Sequence, residues 1–168
     1  MNVPLIISNH CDLEEIAKDF KAKFFYISSD SHHKLDIEKK ILNQLKIYDI
    51  KFAVLAKYMQ ILSDSFLQDF STIINIHHSF LPAFKGSQPY HRAWDRGVKI
   101  IGATAHYVTE DLDEGPIIEQ SVERVDHTHT PDQLVAVGRD IENVVLARGL
   151  QAVLEDRVLL NGIRTVIL

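Results

Sequence analysis

Apolar residues gather in short runs along the chain: Val3–Ser8, Lys23–Ile27, Phe52–Ala56, Thr72–Ile76, Ile100–Val108 and Pro116–Val125. Each has the length of a strand, and most are separated by stretches with helical spacing. Asp12 followed by Glu15 reads as a capping pair opening a helix to about Phe20, and LDIEKKILNQLKIY, Leu35 to Tyr48, repeats apolar residues at helical intervals. Continuous apolar strands alternating with helices predict a largely parallel sheet covered on both faces, hence an α/β domain. The second half changes character. Thr130 as N-cap and Pro131 as first helical residue open one long helix, PDQLVAVGRDIENVVLARGLQAVLED. Beyond it, two short apolar runs flank Asn161-Gly162, a strong hairpin signal. Neither a Gly/Ser/Pro-rich linker nor an internal repeat divides the sequence, so a single domain over residues 1–168 is expected.

Composition agrees with a globular domain. The 168 residues are 46% hydrophobic, with five prolines and seven glycines, enough for a sizeable core. A formal charge of −5 without any Lys/Arg-rich block disfavours extended binding to nucleic acid or anionic lipid and points to a small-molecule partner. The lone cysteine, Cys11, has no internal disulfide partner and suits a reducing cytoplasm. The start of the chain lacks the basic region and long apolar segment of a signal peptide, and no run approaches membrane-spanning length.

Candidate chemistry lies in two loops. In parallel α/β sheets, ligands gather beyond the carboxyl ends of strands. Asn75 and His77 stand at one such end, and the acidic loop TEDLDEG, Thr109 to Gly115, follows another, so the two are expected to converge on one cleft. That would join an amide and an imidazole to the carboxylates Glu110, Asp111, Asp113 and Glu114. Such a set suits attack on an acyl group: the Asn amide and a protonated His hold the oxyanion, and a carboxylate orients a nucleophile. No GxSxG elbow is present. Singly, these residues have ordinary readings, a solvated loop histidine or an acidic turn. His77, His78, His91, His127 and His129 are a weak metal signal without a Cys partner or an HExxH helix, so no metal is expected. HTHTP, His127 to Pro131, reads as the polar lead-in to the long helix.

The segments LAKYMQIL, INIHHSFLPAFKG, GATAHYVTEDLDEGPIIEQ and LEDRVLLNG resemble the catalytic domain of the formyltetrahydrofolate deformylases, relatives of the folate-dependent formyltransferases. The resemblance runs over essentially all 168 residues. It implies a three-layer, Rossmann-like formyltransferase fold with a mostly parallel sheet, a long C-terminal helix and a β-hairpin. It implies Asn75, His77 and Asp113 as the catalytic trio. The substrate would be 10-formyltetrahydrofolate, hydrolysed to formate and tetrahydrofolate without a cofactor. Tyr58, Met59, Gln60, Ile61 and Leu62 match the segment that cradles the pterin. His106, Val108, Thr109, Glu110 and Asp111 complete the substrate-binding set, and Lys57 and Lys85 are candidates for the anionic glutamate tail. Core packing is the ordinary reading of Met59, Ile61 and Leu62. A homo-oligomer is also implied.

Formyl transfer to an amine is the nearest rival, since the same trio would serve it. Transferases of the glycinamide ribonucleotide type read NIHPS where this chain reads NIHHS, and His78 favours hydrolysis. A silent folate-binding module would keep the pocket and lose the trio, which is intact. The family's ACT domain and the strand and helix ahead of VPLIISNH have no counterpart in this sequence. That departure leads to the expectation of self-association or a sideways shift of VPLIIS, with weak catalysis.

Overall fold

A computed structural model describes residues 2–28, 33–82 and 89–168. The chain forms two compact units, Met1–Lys51 with Leu62–Phe70, and Phe52–Ile61 with Ser71–Leu168.

In the first unit, β1 (Leu5–Ser8) and β2 (Lys23–Tyr26) pair in parallel, Leu5 opposite Lys23, across the short helix α1 (Glu14–Asp19). The expected Asp12–Glu15 cap does not form. Leu13 is the N-cap without a side-chain bond, and the Glu14 N–H donates instead to the Cys11 carbonyl at 3.0 Å. A backbone turn therefore satisfies a donor that a capping side chain would otherwise take. Helix α2 (Lys34–Ile47) and α3 (Asp64–Asp69) are tied through a buried carboxylate: Glu38 accepts from the Ser63 N–H at 2.9 Å and the Ser63 hydroxyl at 2.5 Å. The same hydroxyl accepts from the Phe66 N–H, so Ser63 is also the cap of α3. With those donors supplied, burying the charge is tolerable.

The second unit is built on a four-stranded sheet in the order β3 (Ala53–Ala56), β4 (Ile73–His77), β5 (Ile100–Tyr107), β6 (Ile117–Arg124). Helix α4 (Pro89–Asp95) precedes β5, and α5 (Pro131–Leu154) follows β6. Strands β3 and β4 are parallel, whereas β4–β5 and β5–β6 are antiparallel. The α/β class, long helix and hairpin are as expected; among the described residues the parallel pairing is confined to β1–β2 and β3–β4. Continuous apolarity had suggested parallel strands, but it reports burial on both faces and not direction. Ile101, Ala103 and Ala105 of β5 join Ile74 and Ile76 of β4 and Leu134, Ile141, Val145 and Val153 of α5 in one core. Gly149 lets α5 approach, since a Cβ there would lie 3.1 Å from the Ala105 Cβ.

Thr130 caps α5 as predicted. Its hydroxyl accepts from the Gln133 N–H at 3.3 Å, and the Gln133 side chain accepts from the Thr130 N–H at 2.8 Å, with Pro131 at the first helical position. Strands β7 (Val158–Asn161) and β8 (Arg164–Ile167) form the hairpin, with Asn161 paired to Arg164. The turn is Gly162-Ile163, one residue beyond the dipeptide that signalled it; Gly162 takes the positive φ of 61°. The Thr130→Ala variant should lose about 1 kcal/mol of stability in urea unfolding, with Thr130→Ser close to wild type.

Candidate active site

The register of β4 and β5 decides which polar side chains meet. Asn75 lies opposite His106, and His77 opposite Thr104. Successive residues point to opposite faces, so while Ile74, Ile76, Ala103 and Ala105 enter the core with α5, these four polar side chains form a block on the other face. A β-bulge at Ala105/His106 adjusts the strand there: Ala105 pairs with Glu119 and His106 with Ile117.

The bonds within the block fix its orientation. His106 Nδ1 stands 2.8 Å from the Tyr107 carbonyl, which only accepts, so Nδ1 carries the proton. Burial lowers the His106 pKa, keeping the ring neutral and Nε2 a lone-pair acceptor. The Asn75 amide then donates from Nδ2 to His106 Nε2 at 3.2 Å. This settles which way the amide points and leaves its second N–H for another acceptor.

Asp113 reaches the block from the loop between β5 and β6. The two loops were expected to leave the sheet at one end, but β5 is antiparallel to β4, and the Val108 N–H bonds the Ile73 carbonyl at 2.9 Å, at the start of β4. The acidic loop therefore begins at the far end of β4 and folds back over the sheet face. Asp113 has φ 57°, a left-handed conformation that Asp tolerates better than most residues. Gly115 permits the return, because a Cβ there would overlap the Tyr107 carbonyl oxygen. The result is an Asp113 Oδ2 3.3 Å from His77 Nδ1, with Oδ1 3.7 Å from the neutral His106 Nε2.

His77 is 4% exposed, and its Nε2 is the buried side-chain polar atom among the described residues that has no hydrogen-bond partner. Burial lowers its pKa to about 4, outweighing the opposing pull of Asp113. At neutral pH His77 is thus an imidazole and not the imidazolium expected from sequence. With Nδ1–H directed at Asp113, its Nε2 presents a lone pair. The His78 ring stacks on that of His77, centroids 4.8 Å apart and planes inclined by 20°.

The remaining candidates are dispersed. Glu110, Asp111 and Glu114 are exposed, and Asp113 is the loop carboxylate that faces His77 and His106. Thr109 donates to the Asp111 carbonyl at 3.2 Å, shaping the loop, and Val108 is half-buried. Parallel pairing of β3 with β4 sends Lys57–Ile61 off the end of the sheet where His77 lies. Met59 and Ile61 are 65% and 52% exposed, which removes core packing as the reason for their apolarity. Tyr58 is half-buried and Gln60 exposed, while Leu62 is buried in the first unit. Lys57 is exposed; Lys85 lies outside the described residues. Among the described residues no group of three or more His, Cys, Asp or Glu is arranged to hold a metal ion, and no helix is long and apolar enough to cross a membrane. The sequence reading passed over Thr104 and Gln120, although Thr104 shares the parity of His106 in GATAHYV.

A strand-borne amide and two neutral imidazoles thus meet a carboxylate folded onto them on one sheet face, and comparison with known proteins places the chain in a family. The formyl transferase family model matches residues 1–150, and the chain belongs to that family. It is 56% identical over 165 residues to a formyltetrahydrofolate deformylase of Synechocystis sp., a match covering 98% of this chain and 58% of that protein. The corresponding protein of Bacillus subtilis is 49% identical over 166 residues, covering 98% and 55%. A solved formyltetrahydrofolate deformylase from Pseudomonas syringae superimposes with a TM-score of 0.93 at 46% identity, covering 98% of this chain and 56% of that one. Glycinamide ribonucleotide transformylase 1 from Symbiobacterium toebii gives 0.92 at 29% identity, covering 99% and 80%. The chain spans little more than half the length of these deformylase relatives.

The lowered pKa has a measurable sign. Between the ordinary value of 6.5 and about 4, the unfolded chain protonates at this ring and the folded chain does not. The contribution of His77 to stability is therefore complete above pH 6.5 and is lost as pH falls towards 4, with His106 acting in the same direction. The His77 Cε1–H resonance should titrate near pH 4, and urea midpoints should fall below pH 6.5. Titration at an unshifted value would contradict the burial account.

Proposed function

We propose that the chain carries the catalytic site of a formyltetrahydrofolate deformylase, which hydrolyses 10-formyltetrahydrofolate to formate and tetrahydrofolate. The observation that carries this reading is the meeting of Asn75, His77 and Asp113 on one sheet face, with an unpartnered buried His77 Nε2. His77 Nε2 takes a proton from water as the oxygen adds to the formyl carbon. Asp113, holding Nδ1–H, stabilises the imidazolium that forms. The free N–H of Asn75 donates to the oxyanion. Collapse of the tetrahedral intermediate breaks the carbon–N10 bond, and His77 returns the proton to N10. Formate and tetrahydrofolate leave.

The pterin lies against Tyr58–Ile61 and the Val108–Asp111 segment, with backbone polar groups at its amide-like edges. Lys57 meets the glutamate tail. The exposed Met59 and Ile61 support such a receptor, since apolar side chains left in solvent gain by covering a flat ring. No metal takes part, formate goes to purine synthesis, and the enzyme works in the cytoplasm. A homo-oligomer is supported by the apolar exposure of the C-terminal hairpin, where Leu160, Ile163 and Leu168 are 62%, 83% and 68% exposed.

The test is formate release from 10-formyltetrahydrofolate. Asn75→Ala, His77→Ala and Asp113→Asn should each lower kcat on the order of a hundredfold to a thousandfold with the fold retained. Asn accepts the left-handed conformation as readily as Asp, so Asp113→Asn removes charge without straining the loop. Near-wild-type turnover by that variant would end the mechanism. Rates should be the same with or without glycinamide ribonucleotide, and EDTA should leave them unchanged. Dependence on the amine would establish a transferase instead.

Light scattering provides a separate check on assembly. Ile163→Lys should shift the mass from oligomer towards monomer, whereas a monomeric wild type would remove the proposal of self-association.

A further inference from the structure

Thr104 lies on the site face of β5, yet no catalytic step uses it. It is fully buried, and the sheet register sets it between His77 on β4 and Gln120 on β6, one row across three strands. Its hydroxyl donates to the Ser79 carbonyl at 2.9 Å and accepts from the Leu81 N–H at 3.1 Å and from Gln120 Nε2 at 2.9 Å. One hydrogen and two lone pairs are thereby all in use, and none is left for His77. Gln120 Nε2 makes a second bond, to the Leu81 carbonyl at 3.2 Å.

These bonds converge on one short turn. The β4–β5 ladder stops at the His77–Thr104 pair, so the backbone that follows must find partners elsewhere. Thr104 and Gln120 supply them for Ser79 and Leu81, and the turn is pressed so closely onto β5 that a Cβ at Gly102 would stand 3.2 Å from the Phe80 Cβ. The residue between β4 and this turn is His78, the ring stacked on His77. His77 is thus held on two sides, at Nδ1 by Asp113 and across one face by His78.

We propose that Thr104 and Gln120 are positioning residues for His77: by clamping the 79–81 turn they hold His78 against the His77 ring and fix the direction in which Nε2 points. The inference rests on the reading of His77 as the acid–base group. A clamp that served stability alone would need only to satisfy the turn. A positioning clamp must also change the behaviour of a ring to which it makes no hydrogen bond.

The experiment compares Thr104→Val, which keeps the shape and deletes the hydroxyl, with Thr104→Ser, which keeps the hydroxyl, and adds Gln120→Glu, which keeps the shape and deletes the donors. In 15N-labelled protein at neutral pH, wild-type His77 should show one neutral tautomer with the proton on Nδ1. Thr104→Val and Gln120→Glu should give averaged or exchange-broadened ring nitrogens, with kcat for formate release lowered on the order of tenfold to a hundredfold and KM within about twofold. Thr104→Ser should restore both the spectrum and kcat. Variants that unfold are judged on Gln120→Glu and on milder substitutions such as Gln120→Asn. An unchanged His77 spectrum and unchanged kcat in folded Thr104→Val and Gln120→Glu would overturn the clamp, as would a loss in Thr104→Ser equal to that in Thr104→Val. A wild type that releases no formate would overturn the hydrolase reading by itself, because the nitrogen spectra judge the positioning without turnover.

Discussion

The antiparallel register between β4 and β5 is the constraint on which the site depends. Because Asn75 pairs with His106 and His77 with Thr104, four polar side chains share one face while their neighbours fill the core under α5. A slip of one residue would exchange the faces and bury the polar block against α5. The core thus enforces the chemistry: Ile74, Ile76, Ala103 and Ala105 cannot leave their side without moving every group of the site. Small residues at 103, 105 and 149 let the long helix lie close enough for that enforcement to be firm.

Burial then sets the protonation state. A histidine this enclosed keeps a charge only at a cost, and Asp113 does not fully offset it, so the resting ring is neutral with its pKa near 4. Neutrality has a consequence for direction. The Nδ1–H of His77 is directed at Asp113 and one Asn75 N–H at His106, and among the described residues the His77 Nε2 lone pair has no partner. An acceptor left over in a buried place is poor for stability and useful for a reaction that moves a proton.

The acidic loop brings in the one group that no strand can supply. It starts near Ile73, at the wrong end of β4 for His77, and has to double back across the sheet face. Two backbone features permit this: the left-handed conformation of Asp113 and the absence of a side chain at Gly115. Glu110, Asp111 and Glu114 are exposed along the way, whereas Asp113 is folded against the histidines.

Much of this was legible in the order of residues. Apolar runs located the strands, Thr130-Pro131 located the start of α5 because a cap and a fixed φ act locally, and Gly162 marked the hairpin to within one residue. The polar residues of NIH and LDEG stood out against their apolar surroundings, and their resemblance to a known pattern named the trio. Short helices α3 and α4 escaped notice because six or seven residues hold too few turns to show a period. Strand direction, the opposite starting points of the two loops, the neutrality of His77 and the Thr104–Gln120 clamp were decided only by tertiary structure. Each depends on groups far apart in the chain, and burial, register and pairing across strands are properties of neighbours that a linear sequence does not specify.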